Sequence, residues 1–410
     1  MGFEDFPVEL LVMIMLYLDS KDILSMSAAS RAWYKIARGI APLLPGLKMP
    51  VSVTVPDDGH VVIPSCPNWS FSAEVDLRSQ FWVLSFSFKT TVHTLKLYGC
   101  DIDDVSALRG VHTLSLRYCN NIVDVSALGD VHTLDLSECR NLVDVSALGG
   151  VHTLDLSRCR SIVDVSALGD VHTLDLSRCR SIVDVSALSR VHTLDLSGCD
   201  NVMDVSELGS VHTLDLSECD KVADVSELGS VHTLVLSHCY KVVDVSALGS
   251  VHTLNLSGCN VADVSNLGGV NTLNLRGCDN VVDVSALGAV HDLNLSFCNK
   301  VVDVSELGGV HTLSLRHCYN IIDVSALGSV HTLDLKGCVE VFDVSALGDV
   351  HTLNLNGCQK VFDLSVLRNV HTLKLFGCCG SIRGHAPWKC REYRVVFEQG
   401  KVIDKVSFDI

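Results

Sequence analysis

Cysteine, histidine and aspartate return together about every 20 residues, as in Cys139, Cys159 and Cys179, His132, His152 and His172, and Asp144, Asp164 and Asp184. Thiols and imidazoles in such numbers could hold zinc or run redox chemistry, and a file of aspartates could hold calcium. The regular spacing argues otherwise. A residue repeated in stacked parallel strands forms a ladder with rungs about 4.8 Å apart. Such a ladder keeps Cβ vectors parallel, whereas disulfides need them suitably crossed. Zinc needs ligands converging from several directions, and the paired C-x₂-C spacing is missing. The cysteines are therefore expected to be buried packing groups.

Each aspartate of the file from Asp104 to Asp363 is followed two residues on by serine, in all fourteen complete units. That is the chemistry of a cap on a short helical turn, not of a cation array. The histidine file begins at His93 and has one break, at Asn271. Adjacent imidazoles can chelate a metal adventitiously, but a partly exposed rim is the expected role. No nucleophile–base pair, phosphate loop or paired carboxylates stand out. The chain is expected to be no enzyme, with no catalytic residue, no metal site and no cofactor.

The elements that must position these residues follow from the repeat. Val151–Asp170 and the next twenty residues agree at eighteen positions. Tetrapeptides of the VHTL type begin at Val92 and recur to Val370, giving fourteen complete units and a fifteenth that runs on towards the C-terminus. A period near 20 marks a solenoid, in which each coil buries its apolar face against its neighbours. In the unit 151–170 the apolar positions are Val151, Leu154, Leu156, Cys159, Ile162, Val165 and Leu168. Leu154 and Leu156 alternate with Asp155, which predicts a strand with its leucines inward. Asp164–Leu168 predicts a short helical turn. Two units lose one residue just after the cysteine, which predicts a loop at the strand's exit edge.

Composition narrows the partners. The formal net charge is −17, from 31 basic and 48 acidic residues, which disfavours a grip on nucleic acid. The apolar run Leu10–Leu18 is too short to span a bilayer. The opening MGFEDF lacks the basic flank of a signal peptide. The expectation is an intracellular protein, cytoplasmic or nuclear, with no membrane and no nucleic-acid partner. Of eighteen cysteines, fifteen fall at the repeat phase, from Cys100 to Cys378, which is packing and not a disulfide framework.

The unit pattern resembles the cysteine-containing leucine-rich repeat. That resemblance implies an α/β solenoid, a parallel β-solenoid of about 15 coils over residues 92–379. With so short a unit, turns or 3₁₀ segments are expected on its convex side. Residues 46–91 are expected to form a connector and N-terminal cap, through VSVTV, HVVIP and a degenerate coil near Val75-Asp76-Leu77. Residues 380–410 read as two strands around Gln399-Gly400, a C-terminal β cap.

Ahead of the solenoid, Pro7 suits a first helical turn, and Leu10, Leu11, Ile14 and Leu18 fall on one helical face. The segment resembles the F-box through Phe6, Pro7, Glu9, Leu10, Leu11, Ile14, Leu18, Asp22, Ile23, Leu24, Ser30, Arg31 and Trp33. Phe6 and Ala29 stand where that pattern has Leu and Val. The resemblance implies a small all-α F-box over residues 1–45. It also implies that Phe6, Pro7, Glu9, Leu10, Leu11, Ile14, Leu18, Ile23, Leu24 and Trp33 dock a Skp-type adaptor, and through it a cullin. An F-box joined to leucine-rich repeats resembles the substrate receptors of Skp–cullin–F-box ubiquitin ligases, which hold a target protein close to the charged enzyme. A non-degradative adaptor-binding scaffold or decoy is the alternative, and a structural repeat protein the third. Near-identical repeats also resemble expanded F-box repeat families of eukaryotes and of the large DNA viruses that infect them. For a virus-encoded chain the expected location is the host cytoplasm.

Variation between units concentrates at the fifth, seventh, eighth, tenth and eleventh positions. The fifth and seventh are expected to face outward on the concave strand side, the others on its exit edge. The candidate target-binding residues are Asp135, Asp155, Asp175, Asp195 and Asp215 in one file, with His238, Tyr240, Phe297, Arg316, His317 and Tyr319 farther on. Aromatics and arginine are the types that anchor interfaces, and the aspartate file would select a basic partner.

Overall fold

The computed structural model describes residues 94–100 and 102–377, together with the strands Met49–Ser52, Phe71–Asp76, Arg394–Glu398 and Lys401–Lys405. The ten residues assigned to adaptor docking, from Phe6 to Trp33, lie outside the described residues, as does the HVVIP stretch. The chain divides into two compact units, Met1–His192 and Thr193–Ile410.

Each unit is a leucine-rich-repeat parallel β-solenoid, because each strand places its own copy of the repeat beside the last. In the first unit, Met49–Ser52 pairs in parallel with Phe71–Asp76, and that strand with Thr94–Tyr98. The ladder continues through Thr113–Ser115, Thr133–Asp135, Thr153–Asp155 and Thr173–Asp175. Like residues face like across it, as with Leu154 opposite Leu174 and Asp155 opposite Asp175. In the second unit, parallel pairing runs strand by strand from Thr193–Asp195 to Thr372–Lys374. Arg394–Glu398 then pairs antiparallel with Thr372–Lys374, and Lys401–Lys405 antiparallel with Arg394–Glu398. These two strands flank Gln399-Gly400.

The repeat's strand is shorter than the leucine alternation suggests. Most comprise three residues, such as Thr153–Asp155, so that Leu154 lies within the strand and Leu156 just beyond it. Both are buried, and Leu156 N–H still bonds the next coil, donating to the Asp175 carbonyl at 2.8 Å. Opposite the strand, each coil carries a 3₁₀ segment such as Ser166–Leu168, whose Leu168 is fully buried. Val151, Leu154, Leu156, Cys159, Ile162, Val165 and Leu168 form one coil's share of the core, each at most 2% exposed. Burial of each leucine or valine contributes roughly 1.5–3 kcal/mol. No single coil could seal this face alone, so the stack is the folding unit.

The recurring aspartate of the Asp-x-Ser file works slightly differently from a helix cap. Asp164 Oδ1 accepts from the Ser166 backbone N–H at 2.9 Å, and the same bond recurs from Asp104–Ser106 to Asp363–Ser365. The 3₁₀ segment starts at the serine, and the valine before it makes no side-chain cap bond. The motif is thus an Asx-turn that delivers the chain into the 3₁₀ segment. These bonds to the serine lower the Asp164 pKa from its ordinary value.

Candidate functional site

The variable edge is built by a single backbone requirement. After the strand, the eighth residue of each coil takes the left-handed conformation, with φ near +60° at Glu138, Arg158, His238 and Phe297 alike. Gly198, Gly258, Gly277 and Gly337 occupy the same position elsewhere. Glycine is the residue that tolerates this φ freely, and a side chain there costs about 1–2 kcal/mol. Tyr118, Glu138, Arg158, Arg178, Glu218, His238, Phe297 and His317 nevertheless stand there without glycine's freedom. Retained strain of this kind is a reason to ask what each of these side chains does. The sequence shows glycine alternating with bulky residues at this position, which is the signal that could have revealed the turn.

The fifth-position aspartates lie at the start of that turn and are half-buried, not freely outward. Their carboxylates are engaged by their own coil. Asp135, Asp155, Asp175, Asp195 and Asp215 accept from the backbone N–H of Ser137, Ser157, Ser177, Ser197 and Ser217 at 2.8–2.9 Å. Asp135 also accepts from the Ser115 hydroxyl at 2.8 Å. Burial pushes the Asp155 pKa up, against the lowering effect of its bonds to Ser157. A second Asx-turn per coil was not legible, because Asp alternates there with Asn, Ser and Val.

In the second unit the structure groups the predicted aromatic residues into two clusters on the exit edge. Tyr240 is 53% exposed, and its hydroxyl lies 3.3 Å from His238 Nδ1. Tyr319 stands in the same relation to His317, at 3.4 Å. Phe297 is half-buried between neighbours: it stacks on His317 at 4.9 Å, with the Arg276 guanidinium 4.7 Å over its ring. Arg316 pairs with Asp334 through Nε at 2.5 Å. The two His–Tyr pairs are four coils apart, roughly 19 Å at the ladder spacing. His238 also explains a glycine, since a Cβ on Gly258 would come 2.5 Å from its Nδ1. Sequence reasoning missed a third cluster, in the first unit, where Tyr118 stacks on Tyr98 at 6.0 Å and Arg140 lies 5.3 Å from the Tyr118 ring.

A second surface was missed altogether. The thirteenth position of the coil, next to a buried Ile, Leu or Val, points outward. Val143, Val163, Val183, Met203, Phe342 and Phe362 are between 55% and 64% exposed. The aspartates of the Asp-x-Ser file border this apolar file. In the first unit a shallow groove of about 260 Å³ opens between them, lined by Val163, Asp164, Ser166, Asp184, Ser186 and Ala187. Period-20 counting registers position 13 as apolar but does not say which side of the turn it faces.

The cysteines are buried, and no disulfide joins those described. Their role exceeds packing. Cys159 Sγ donates to the carbonyl of Leu136 in the preceding coil at 3.1 Å, and that carbonyl also accepts the Cys139 N–H. The same thiol bond recurs at 2.9–3.2 Å down the file, for example at Cys259 and Cys338. The thiol gives that carbonyl a second donor, which valine or alanine could not supply. The histidines are exposed and stack face to face, as with His132 on His152 at 4.7 Å and 9°.

Comparison with known proteins adds the segment the geometry leaves open. Residues 3–41 match the family model described as F-box-like, a span that contains all ten candidate adaptor residues. No curated protein sequence matches the chain. Among solved structures, an internalin, InlF, of Listeria monocytogenes is 19% identical with a TM-score of 0.48, over 71% of this chain and 86% of that one. The functional domain of InlJ from Listeria monocytogenes, which includes a cysteine ladder, is 18% identical with a TM-score of 0.47, over 70% of this chain and 64% of that one. A leucine-rich-repeat protein of Leptospira interrogans is 15% identical with a TM-score of 0.43, over 71% and 91% of the two chains. Among the described residues no helix is long and apolar enough to cross a membrane.

Proposed function

We propose that this protein is the substrate-recognition subunit of a Skp–cullin–F-box type ubiquitin ligase. The observation that carries this reading is the F-box-like match at residues 3–41, joined in one chain to a repeat solenoid. In this reading Leu10, Leu11, Ile14 and their neighbours dock a Skp-type adaptor, and the coils hold a target protein. The chain itself supplies no catalytic group, and ubiquitin transfer follows from proximity. The setting is the cytoplasm or nucleus, where the adaptor and cullin act.

The target surface in this reading is the exit edge, with Tyr240, Phe297, His317 and Tyr319 as anchors. Eight side chains held in the left-handed conformation support it, since each costs stability that glycine would save. The exposed apolar file supports a second placement, on the 3₁₀ side, because contiguous exposed apolar surface marks interaction sites.

Affinity capture of the full chain from cells tests both levels. Leu10→Glu should abolish recovery of adaptor and cullin, because it places an unpaired charge in an apolar contact, while the solenoid's melting stays unchanged. Undiminished adaptor recovery would defeat the assignment. Tyr240→Ala, Phe297→Ala and Tyr319→Ala together should lose the target and keep the adaptor. Loss of target on Phe342→Ser and Phe362→Ser instead would move its site to the 3₁₀ side.

A further inference from the structure

At one rung of the second unit the histidine file acquires an acid. In the other described coils the residue at the strand's first position is threonine, and in coils such as those of His132, His252 and His311 its Oγ1 lies 3.2–3.4 Å from the Nδ1 of the histidine before it. At position 292 it is aspartate, aligned in the ladder between Thr272 and Thr312. Asp292 Oδ2 lies 3.2 Å from His291 Nδ1. The His311 ring stacks on His291 at 4.6 Å and 13°. Donor atoms of His291, Asp292 and His311 all lie within 4.8 Å of one another. On the other side of His291 the file is interrupted by Asn271, so His291 is stacked on one face only, whereas His311 also stacks on His331 at 4.7 Å.

We propose that His291, Asp292 and His311 form a binding site for one divalent transition-metal cation of the zinc, cobalt or copper kind. An imidazole nitrogen from each histidine and one carboxylate oxygen would be its protein ligands. Two nitrogens and one oxygen suit these borderline cations and not calcium or magnesium, which take oxygen donors. Metal–ligand bonds of about 2.0–2.2 Å require the three donors to draw together, and the rings must tilt out of parallel so that their lone pairs meet at one point. Both histidines are exposed, so the tilt gives up the ring stacking and the contact of His311 Nδ1 with Thr312 Oγ1 at 3.4 Å. Water completes the coordination, leaving the site open to a further ligand.

The repeat supplies its own controls, since His132 and His152 stack in the same way without a carboxylate. Metal-free full-length protein titrated with Zn²⁺ by calorimetry, and with Co²⁺ by visible absorption, should show one equivalent bound ahead of any weaker binding. Asp292→Thr restores the residue that the other coils carry, so the fold persists. It should weaken that equivalent at least about tenfold. His152→Asn should leave it unchanged. Equal binding by the native chain and Asp292→Thr, several equivalents of similar affinity lost together with stacked histidines, or no Zn²⁺ uptake would each overturn the proposal.

Discussion

The cysteine file and the histidine file share a period, an in-register stack and one residue per coil, yet they live in opposite environments. Cys239 is fully buried and donates to the Leu216 carbonyl at 3.0 Å. His232, seven residues earlier, is exposed and touches its neighbours ring to ring at 4.6 and 4.7 Å. The backbone makes the difference. The left-handed turn at the eighth position swings the ninth residue under the sheet, whereas the second position precedes the strand and lies on its rim. Periodicity therefore tells which residues are aligned, and the turn between them tells which can react. The thiols show the consequence, because burial raises their pKa, to about 11 at Cys259 and about 12 at Cys298.

The largest consequence is at alkaline pH. A thiol that stays protonated in the folded chain but ionises near pH 8.5 when unfolded contributes stability that is whole below that pH. The contribution is lost as pH rises towards the folded value, at up to about 1.4 kcal/mol per pH unit for each group. Cys139, Cys159, Cys219, Cys239 and Cys338 are shifted upward in the same sense. Urea unfolding at pH 7, 8, 9 and 10 should show stability falling steeply above about pH 8.5. Cys239→Ala combined with Cys259→Ala should flatten the slope, and His232→Asn should not. A stability curve level to pH 10 would mean that the thiols ionise in place.

Single substitutions sharpen the same contrast on a smaller scale. Cys239→Ala removes a buried sulfur and one of the two hydrogen bonds that the Leu216 carbonyl accepts, a cost of about 1–3 kcal/mol. His232→Ala removes an exposed ring and should stay within about 0.5 kcal/mol. Thermal melts of the two variants, read side by side, check the ordering. A larger loss at the histidine would make the ring stack, not the thiol ladder, the tie between coils.

The parts of the fold that depend on period alone were legible in the sequence. Leu154, Cys159 and Leu168 recur too regularly to be anything but core, and the shortness of the unit excluded a long helix. The edge was legible only in its residue types. Nothing in SHCYKVV reveals that His238 takes a positive φ, or that its ring covers Gly258 one coil later. The direction of Val163 was equally hidden, since outward and inward valines look alike beside Ile162. The aspartate file misled for the same reason, because a carboxylate on an outward strand position is free only if no turn claims it. Ser157 N–H claims Asp155. At His291 and His311 the informative sign was a single departure from the repeat, Thr to Asp at 292, which a reading built on regularity passes over.

The smallest effect belongs to the exposed file and concerns acid. The pKa of His172 is lowered by partial desolvation within the stack, and then by the charge its neighbours His152 and His192 would carry. Each protonated ring makes the next proton harder to add. Above the ordinary histidine range folded and unfolded chains are alike neutral and the file costs nothing. As pH falls below it, His172 binds its proton more readily in the unfolded chain than in the stack, and stability declines until His172 is protonated in the folded chain as well. These rings are exposed, so the penalty is weak and screened by salt. Proton NMR titration should place His172 below an ordinary histidine. His152→Asn should raise its midpoint towards the ordinary value, and 1 M salt should do the same in the native chain. A midpoint that ignores both changes would mean that desolvation alone sets it, and that the rungs of this ladder do not sense one another's charge.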